Sequence, residues 1–442
     1  MGTLCAIILL LAAVVFSFRT RFVQFRRFGA ALRQPLRPTR GTGGAVSPFE
    51  AAATSLAATI GTGNIAGVAG AILLGGPGAI FWLWVSSTLG MGLKYAEVVI
   101  AMRYRRRGVD GQWRGGPMYC IALGLPKRYG FLATVFSLCG MLAALGMGDL
   151  VQVNTVSESA QALYAAIAAG GTEGALFSVR LVTGLVTAAL LFLVLSGGAQ
   201  RVGRAAAMLV PFVSALYLLL CMVLLVGNAA ALPGALRDIV VGAFAPQAVL
   251  GGAAGFGFLT VFRVGLSRGV FSHEAGLGTS AIAHSSAEGA SPREQGLYGV
   301  FEVFFDALIC TITALAVLVC GIRLPYGNAE LNSTLVIQAF ATQFGEALSA
   351  GFLALSLLLF AFSSMTSFAL YGARCAEFLF GSGVQRAYYA VFLLLTVLGA
   401  LLPRSTAWEI ADWLNAAMAI PNLTAMTLLL RRNPALRAAL RG

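Results

Sequence analysis

Apolar stretches separated by short polar segments follow each other along almost the whole chain. A transmembrane helix needs about 20 predominantly apolar residues. The pattern therefore predicts an all-α polytopic membrane protein with about eleven transmembrane helices. The predicted spans are residues 3–18, 50–73, 77–101, 131–166, 180–197, 206–228, 251–269, 296–321, 347–379, 387–402 and 407–430. The first span is short, which leaves open a start upstream of Met1.

The basic residues indicate the orientation of these helices, because Lys and Arg collect in cytoplasmic loops. If the N-terminus lies outside, 23 of the 30 basic residues fall in cytoplasmic segments and four fall in outside segments. This asymmetry predicts an N-out, C-in topology. The predicted divisions are an extra N-terminal transmembrane helix (1–18), a basic cytoplasmic segment (19–47), five helices (48–228), an extracellular connection (229–250), five further helices (251–430) and a basic cytoplasmic tail (431–442).

The composition excludes a soluble protein. Of the 442 residues, 58% are hydrophobic and only 11% are charged, whereas soluble domains carry about 25% charged residues. A net charge of +13 is also found in proteins that bind nucleic acid. Here the basic residues lie in predicted cytoplasmic loops, so we expect the lipid bilayer as a partner and no nucleic acid.

The second predicted span contains residues that weaken a helix. Gly61, Thr62, Gly63 and Asn64 follow one another within the apolar stretch. Glycine destabilises a helix, and asparagine is unfavourable in hydrocarbon. A break would free amide groups to bind a carboxylate, and would free carbonyl groups and the Asn64 side chain to bind a cation. The alternative is an unbroken helix that packs closely through its small residues.

The predicted span 251–269 has a similar character, with six glycines and Arg263. Spans 50–73 and 251–269 would each be the first of a set of five helices. Two glycine-interrupted segments at corresponding positions indicate an inverted repeat with a binding site between its halves.

Polar side chains in two other spans are candidates for the same site. Asp149 and Gln152 lie three residues apart, so both can face the interior of the bundle. Asp149 would act as a cation or proton partner, or would lie in a helix end that contacts water. Ser363 and Ser364 belong to a run of hydroxyl residues that suits a hard monovalent cation, although such hydroxyls often bond to their own helix.

The remaining ionisable residues do not indicate catalysis, and we expect that the protein is not an enzyme. His273 and His284 lie in a segment predicted to be a cytoplasmic loop, and their spacing does not fit a metal site. Three acidic residues in apolar runs are expected to pair with Lys94 or with polar backbone groups. They are Glu97, Glu302 and Asp306.

Several motifs together resemble those of the alanine/glycine:cation symporter family, whose members are also called sodium:alanine symporters. They are residues 61–70 (GTGNIAGVAG), 75–84 (GGPGAIFWLW), 94–97 (KYAE), 115–119 (GGPMY), 268–278 (RGVFSHEAGLG), 283–284 (AH) and 421–422 (PN). The resemblance extends over nearly the whole chain. It implies a leucine-transporter-type 5+5 inverted repeat, preceded by one extra N-terminal helix.

The resemblance also implies a site for each ligand. The residues implied to contact the substrate are Gly61, Thr62 and Gly63 through their backbone amides, Gln152, Phe368, and Phe262 and Gly265 near the expected break of the seventh span. The implied sodium ligands are the carbonyls of Ala57 and Ile60 and the hydroxyls of Ser363 and Ser364. The Thr59 carbonyl and the Asn64 side chain match a second cation site.

This sequence departs from the family pattern at four positions. They are Asp149 and His273, each in place of Asn, Phe368 in place of Trp, and Ser364 in place of Thr. Asp149 would add proton dependence. The change at Phe368 would enlarge the pocket or remove an indole N–H donor.

The resemblance implies a secondary active transporter that uses sodium to carry small neutral amino acids, of the alanine or glycine type, into the cell. We expect it in the bacterial inner membrane. The alternatives are a proton-coupled or passive amino-acid carrier or channel, and an amino-acid sensor that does not transport. The preferred amino acid and the oligomeric state stay open.

Overall fold

The structure, a computed structural model, describes residues 3–36, 45–108, 111–168, 172–245, 257–324, 326–327 and 332–441. In the first half the helices are α1 (Thr3–Arg19), α2 (Val23–Arg26), α3 (Phe28–Arg33), α4 (Pro48–Thr59), α5 (Ala66–Gly75), α6 (Gly78–Arg103), α7 (Pro117–Gly124), α8 (Gly130–Leu145), α9 (Val151–Ile167), α10 (Glu173–Leu195), α11 (Gly198–Gly227) and α12 (Leu232–Phe244). A short antiparallel hairpin of β1 (Arg106–Arg107) and β2 (Trp113–Arg114) lies between α6 and α7.

The second half continues with α13 (Phe258–His273), α14 (Thr279–Ser285), α15 (Pro292–Val319), α16 (Asn332–Phe344), α17 (Glu346–Phe380), α18 (Gln385–Gly399), α19 (Arg404–Arg432) and α20 (Pro434–Arg441). Helices lie in every predicted span, although the first residues of span 251–269 are outside the described ranges. Among the described residues, six helices are long and apolar enough to cross a membrane, judged by length and composition. The count of eleven crossings, the orientation and the segment boundaries stay predictions.

The second predicted span is broken, as the glycines indicate. Helix α4 begins with a capping box, in which the Ser47 hydroxyl accepts from the Glu50 amide and the Glu50 carboxylate accepts from the Ser47 amide. The helix ends at Thr59, and the chain passes through a short 3₁₀ turn before α5 begins at Ala66. We call residues 60–65 the first break. The alternative of one unbroken helix is therefore wrong.

The described part of the seventh predicted span is not broken, so the expectation of a break near Phe262 and Gly265 is wrong. Helix α13 continues without interruption through Phe262 and Gly265, and the chain leaves the helix only at residues 274–278, which we call the second break. A side chain at Gly265 would overlap the Ala79 carbonyl of α6. The Phe262 ring lies 4.8 Å from the Trp82 ring. This part of α13 is therefore a close helix–helix contact, for which small residues are suited.

The two histidines lie inside the protein, so the prediction that they lie in a loop is wrong, while the side of the membrane stays a prediction. Helix α13 extends to His273, and α14 follows directly after the second break. The side chains of His273 and His284 are 1% and 0% exposed. Polar side chains can be buried in this region because other helices supply their hydrogen-bond partners.

The first break lies where two large parts of the hydrophobic core meet. One part contains Ala58 of α4 together with Phe271 of α13 and Phe136 of α8. The other contains Ile60 and Ile65, on either side of the turn. Backbone groups of the break that have no hydrogen-bond partner within a helix, which we call stranded groups, are therefore shielded from water. They need partners from the protein or from a ligand.

Candidate functional site

Two stranded amides of the first break are held by side-chain oxygens. The Gly61 amide donates to Asn64 Oδ1 over 3.0 Å. The Thr62 amide and hydroxyl both donate to Gln152 Oε1, over 3.3 and 3.0 Å. Thr62 and Asn64 are fully buried, and Gln152 is 2% exposed. An amide oxygen of α9 thus occupies a position where the amide and hydroxyl of Thr62 could bind a carboxylate oxygen.

Three oxygen atoms come together at the C-terminal end of α4. The Ser364 hydroxyl of α17 donates to the carbonyls of Ala57 and Ile60, over 2.8 and 3.3 Å. Carbonyls at this end of a helix carry partial negative charge. A side chain at Gly61 would place its Cβ 2.6 Å from Ser364 Oγ, so the glycine permits the two segments to approach closely.

The other three hydroxyls of the run at residues 363–367 bond to their own helix. Ser363 donates to the Phe360 carbonyl over 2.9 Å, and Thr366 and Ser367 donate to the Ser363 carbonyl over 2.7 and 3.2 Å. Of the four hydroxyl residues in this run, Ser364 is the one that bonds to α4. The structure thus brings Ser364 to the predicted cation ligands and leaves Ser363 with a partner in its own helix.

A buried carboxyl group that sequence reasoning did not assign to the site lies beside the first break. Asn64 Nδ2 donates to Asp306 Oδ1 over 2.6 Å, and the Ser272 hydroxyl donates to the same oxygen over 2.7 Å. Asp306 is fully buried, and its Oδ2 has no hydrogen-bond partner among the described residues. Asp306 bonds to side chains here, so its expected pairing with Lys94 or the backbone is wrong. Its position in an apolar run was the only sequence signal.

Phe271 is a second residue at the first break that sequence reasoning missed. A Cβ atom at Gly63 would lie 3.6 Å from the Phe271 ring. Because Phe271 is in the last turn of α13, the end of one broken helix packs against the break of the other. Phe262, which was predicted for this role, is more than two turns away along the same helix.

Asp149 faces a different part of the bundle from Gln152. Its Oδ1 accepts from the Thr396 hydroxyl of α18 over 2.8 Å, and its Oδ2 has no partner among the described residues. Asp149 is fully buried, so contact with water at a helix end is excluded. It lies in a π turn, Gly146–Leu150, between α8 and α9. A π turn contains an extra residue compared with an α-helical turn, which changes the direction of the side chains that follow. A spacing of three residues therefore does not place Asp149 and Gln152 on one face of the helix.

Phe368 lies between α17 and the π turn. A side chain at Gly148 would overlap the Phe368 side chain, and the Phe368 and Tyr371 rings are 5.7 Å apart in an edge-on arrangement. Phe368 is 1% exposed. It belongs to the large hydrophobic core, and its predicted contact with substrate stays a prediction.

Charged side chains of α6 hold the second break. Lys94 Nζ donates to the carbonyl of His273, the last residue of α13, over 2.9 Å. Glu97 Oε2 accepts from the Gly276 amide over 2.9 Å, which confirms the expected pairing of Glu97 with backbone. Asn422 of α19 donates to the Gly276 carbonyl over 2.9 Å. Stranded groups of this break are therefore bonded on both sides.

A buried cluster around Glu302 connects four further segments. Lys94 Nζ lies 3.8 Å from Glu302 Oε2, which confirms the expected pairing of this acid with Lys94. His284 Nε2 of α14 lies 2.7 Å from Glu302 Oε1, and the Ser55 hydroxyl of α4 donates to Oε2 over 2.8 Å. Helices α4, α6, α14 and α15 thus share one carboxylate.

Comparison with known proteins identifies the family of the chain. The model of the Sodium:alanine symporter family matches residues 1–438. The chain is 37% identical to the sodium/alanine symporter AgcS of Methanococcus maripaludis, over 97% of this chain and 92% of AgcS. It is 39% identical to a transporter of Haemophilus influenzae, over 93% of this chain and 87% of that protein.

A solved structure supports the fold. The structure of MhsT in complex with L-phenylalanine is similar with a TM-score of 0.65 and 14% sequence identity, covering 91% of this chain and 92% of MhsT. The similarity confirms the predicted leucine-transporter-type fold.

Proposed function

Because the chain belongs to the sodium:alanine symporter family, we propose that it carries a small neutral amino acid across the bacterial inner membrane together with sodium. It is a multi-pass membrane transporter and not an enzyme. The single observation that carries the proposal is the Ser364 hydroxyl, which bridges from α17 to the stranded carbonyls of Ala57 and Ile60.

Sodium would bind at this bridge. The two carbonyl oxygens and the Ser364 hydroxyl are neutral oxygen donors of the kind that hard cations prefer. When the hydroxyl turns its hydrogen away, all three oxygens face one point at the negative end of the α4 dipole. Ser363 would complete the set after giving up its bond to the Phe360 carbonyl. The donor set therefore fits a monovalent cation.

The carboxylate of the substrate would bind at the amides of the first break. Gln152 Oε1 accepts from the Thr62 amide and hydroxyl, and a substrate carboxylate would replace it there. The amides of Gly61 and Gly63 would contribute at the positive end of α5. We expect Gln152, once released, to turn its amide group toward the substrate.

A second cation would bind near the Thr59 carbonyl and Asn64. Asp306 supports this part of the proposal, because its carboxyl group lies 2.6 Å from Asn64 Nδ2 and is buried without a basic partner within ion-pair distance among the described residues. A buried carboxylate is unfavourable unless positive charge lies nearby. A cation in this position would supply that charge.

Asp149 is proposed as a group that makes transport depend on protons as well as sodium. It is buried in the π turn and retains one oxygen without a partner among the described residues. Phe368, Phe262 and Gly265 are retained as proposed contributors to substrate selection, with Phe368 acting through its packing on Gly148. Sodium entry releases about 2.3 kcal/mol per 100 mV for its charge, which is enough to accumulate an amino acid.

The test is uptake of radiolabelled alanine and glycine into proteoliposomes with an inward sodium gradient. We expect accumulation that requires sodium and increases with an inside-negative potential. Uptake that ignores sodium, protons and potential would establish a passive carrier. Binding without accumulation would establish a sensor.

Ser364→Ala tests the proposed sodium site directly. Loss of one oxygen ligand should weaken sodium activation by roughly tenfold, which corresponds to about 1.4 kcal/mol. The matched control is Ser367→Ala, which removes a hydroxyl from the same helix that bonds to its own backbone. Ser363→Ala should have a smaller effect than Ser364→Ala. Equal sodium activation of the Ser364 and Ser367 variants would exclude the assignment.

A further inference from the structure

Three arginines line a pocket beside the C-terminal end of α1. Arg21, Arg437 and Arg441, with Pro434 and Ala438, surround a volume of about 490 Å³. Among the described residues, no acidic side chain lies within ion-pair distance of these arginines. The pocket is on the side of the protein that the basic residues predict to be cytoplasmic. It therefore concentrates positive charge that the described protein does not neutralise.

The amphipathic helix α20 directs two of these arginines outward. Leu436 and Leu440 are 0% and 1% exposed and pack into the large core, whereas Arg437 and Arg441, each one residue further along the helix, line the pocket. The Asn433 side chain caps the helix by accepting from the Leu436 amide over 3.0 Å. The apolar side of this helix is therefore anchored in the protein, which fixes where its arginines lie.

Arg26 holds the two sides of the pocket together. Its guanidinium donates to the Arg441 carbonyl over 3.1 Å and to the Arg21 carbonyl over 2.8 Å. The N-terminal segment and the C-terminal helix are therefore joined directly, although they are at opposite ends of the sequence. These bonds hold the backbone at Arg21 close to the backbone at Arg441.

An exposed apolar stripe on α1 leads to the pocket. Leu11, Val15 and Phe18 are 59%, 50% and 66% exposed. They are four and three residues apart, so they lie on one face of the helix. With a rise of 1.5 Å per residue the stripe is about 10 Å long. It ends at Phe18, three residues before Arg21, which follows the end of α1. Acyl chains can follow this stripe while a headgroup enters the pocket.

We propose that the pocket binds the phosphate group of an anionic phospholipid from the cytoplasmic leaflet, with its acyl chains along the exposed stripe of α1. Guanidinium groups bind phosphate through paired hydrogen bonds, and basic pockets at this side of a membrane protein attract anionic lipids. The bound lipid would link α1 to α20 and stabilise both ends of the chain.

The test titrates detergent-solubilised full-length protein with dioctanoyl-phosphatidylglycerol and follows the thermal unfolding midpoint, which a ligand of the folded state raises. We expect the midpoint of the wild-type protein to rise with lipid concentration. A variant with Arg21→Gln, Arg437→Gln and Arg441→Gln should need roughly a hundredfold more lipid for the same rise. An unchanged titration of this variant would overturn the proposal.

Three further titrations complete the design. A variant with Arg201→Gln and Arg386→Gln loses exposed arginines from the same predicted side but outside the pocket, and should respond like wild type. Dioctanoyl-phosphatidylcholine should have little effect, and an equal response to it would refute recognition of an anionic headgroup. Inorganic phosphate with the same potency would show a free-anion site instead. If the triple variant does not fold, Arg437→Gln alone should weaken the response roughly fivefold.

Discussion

The two helix breaks differ in the side chains that satisfy their stranded backbone groups. At the first break the partners are neutral: Asn64, Gln152 and Ser364. At the second break the partners include a buried cation and a buried anion, Lys94 and Glu97, one turn apart on α6. The same local feature, a helix interrupted in the core, is therefore stabilised by two different kinds of interaction.

This difference indicates which break exchanges its partners for a ligand. A neutral hydrogen bond contributes about 1 kcal/mol, so a carboxylate or a cation can replace it with little loss. Removing one partner of a buried charge pair is unfavourable by about 3–5 kcal/mol. We therefore expect the first break to bind ligands during transport, and the second break to keep its bonds and serve as a fixed bend in the chain.

The largest effect is expected from Lys94→Met, which removes a charged partner of the second break. The variant leaves the His273 carbonyl without its donor and Glu302 without its cation, so stability should fall by about 3–5 kcal/mol. Equilibrium unfolding in detergent measures this loss. The matched control is Lys127→Met, since Lys127 is the other lysine of the chain and is exposed. Similar stability of the two variants would show that the charge does not hold the second break.

Asn64→Leu tests the first break, whose partners are neutral, and should abolish sodium-dependent uptake. It should also lower stability by about 2 kcal/mol, because two buried hydrogen bonds are lost. Alanine binding and unfolding, measured on the same preparation, separate these two effects. Asn154→Leu is the control, since Asn154 is also buried and donates to the Leu402 carbonyl over 2.6 Å, away from both breaks. We expect it to lose stability but to retain uptake. Uptake by Asn64→Leu at the control rate would contradict the ligand role of the first break.

Asp149→Asn is expected to have the smallest effect, because Asp149 contacts neither break in the described structure and bonds to Thr396. An asparagine oxygen can accept the same hydrogen bond, so the maximal uptake rate should change by less than roughly tenfold. The wild-type rate should rise as the pH falls, and the variant should lose this dependence. Uptake measured from pH 5 to pH 9 provides the check, and superimposable profiles would remove Asp149 from the mechanism.

The first break was predictable because its cause is local. Gly61, Thr62, Gly63 and Asn64 are neighbours in the sequence, and each is unfavourable in the middle of an apolar helix. The partners of this break were predicted in part. Gln152 and Ser364 stood out as polar residues in apolar spans, whereas Asp306 and Phe271 have no local pattern that links them to Asn64 and Gly63.

Gly276 and Gly278 lie in the second break with positive φ angles of 89° and 91°, but sequence reasoning placed this segment in a loop and expected the break near Phe262 and Gly265. Gly265 is needed where α13 packs on α6, and a glycine that permits close packing looks the same in sequence as one that permits a break. The actual break depends on Lys94, Glu97 and Asn422, which are more than 140 residues away along the chain. Only folding brings these three side chains to the second break.

The membrane class, most helix positions and the interruption near Thr62 follow from the sequence, because hydrophobic length and backbone propensity are properties of neighbouring residues. Which buried polar groups share a partner depends on the tertiary structure. It paired Asn64 with Asp306, directed Asp149 away from Gln152 and joined Arg21 to the last helix. These contacts depend on helix packing and on the register change of the π turn, and neither is encoded within a short window of sequence.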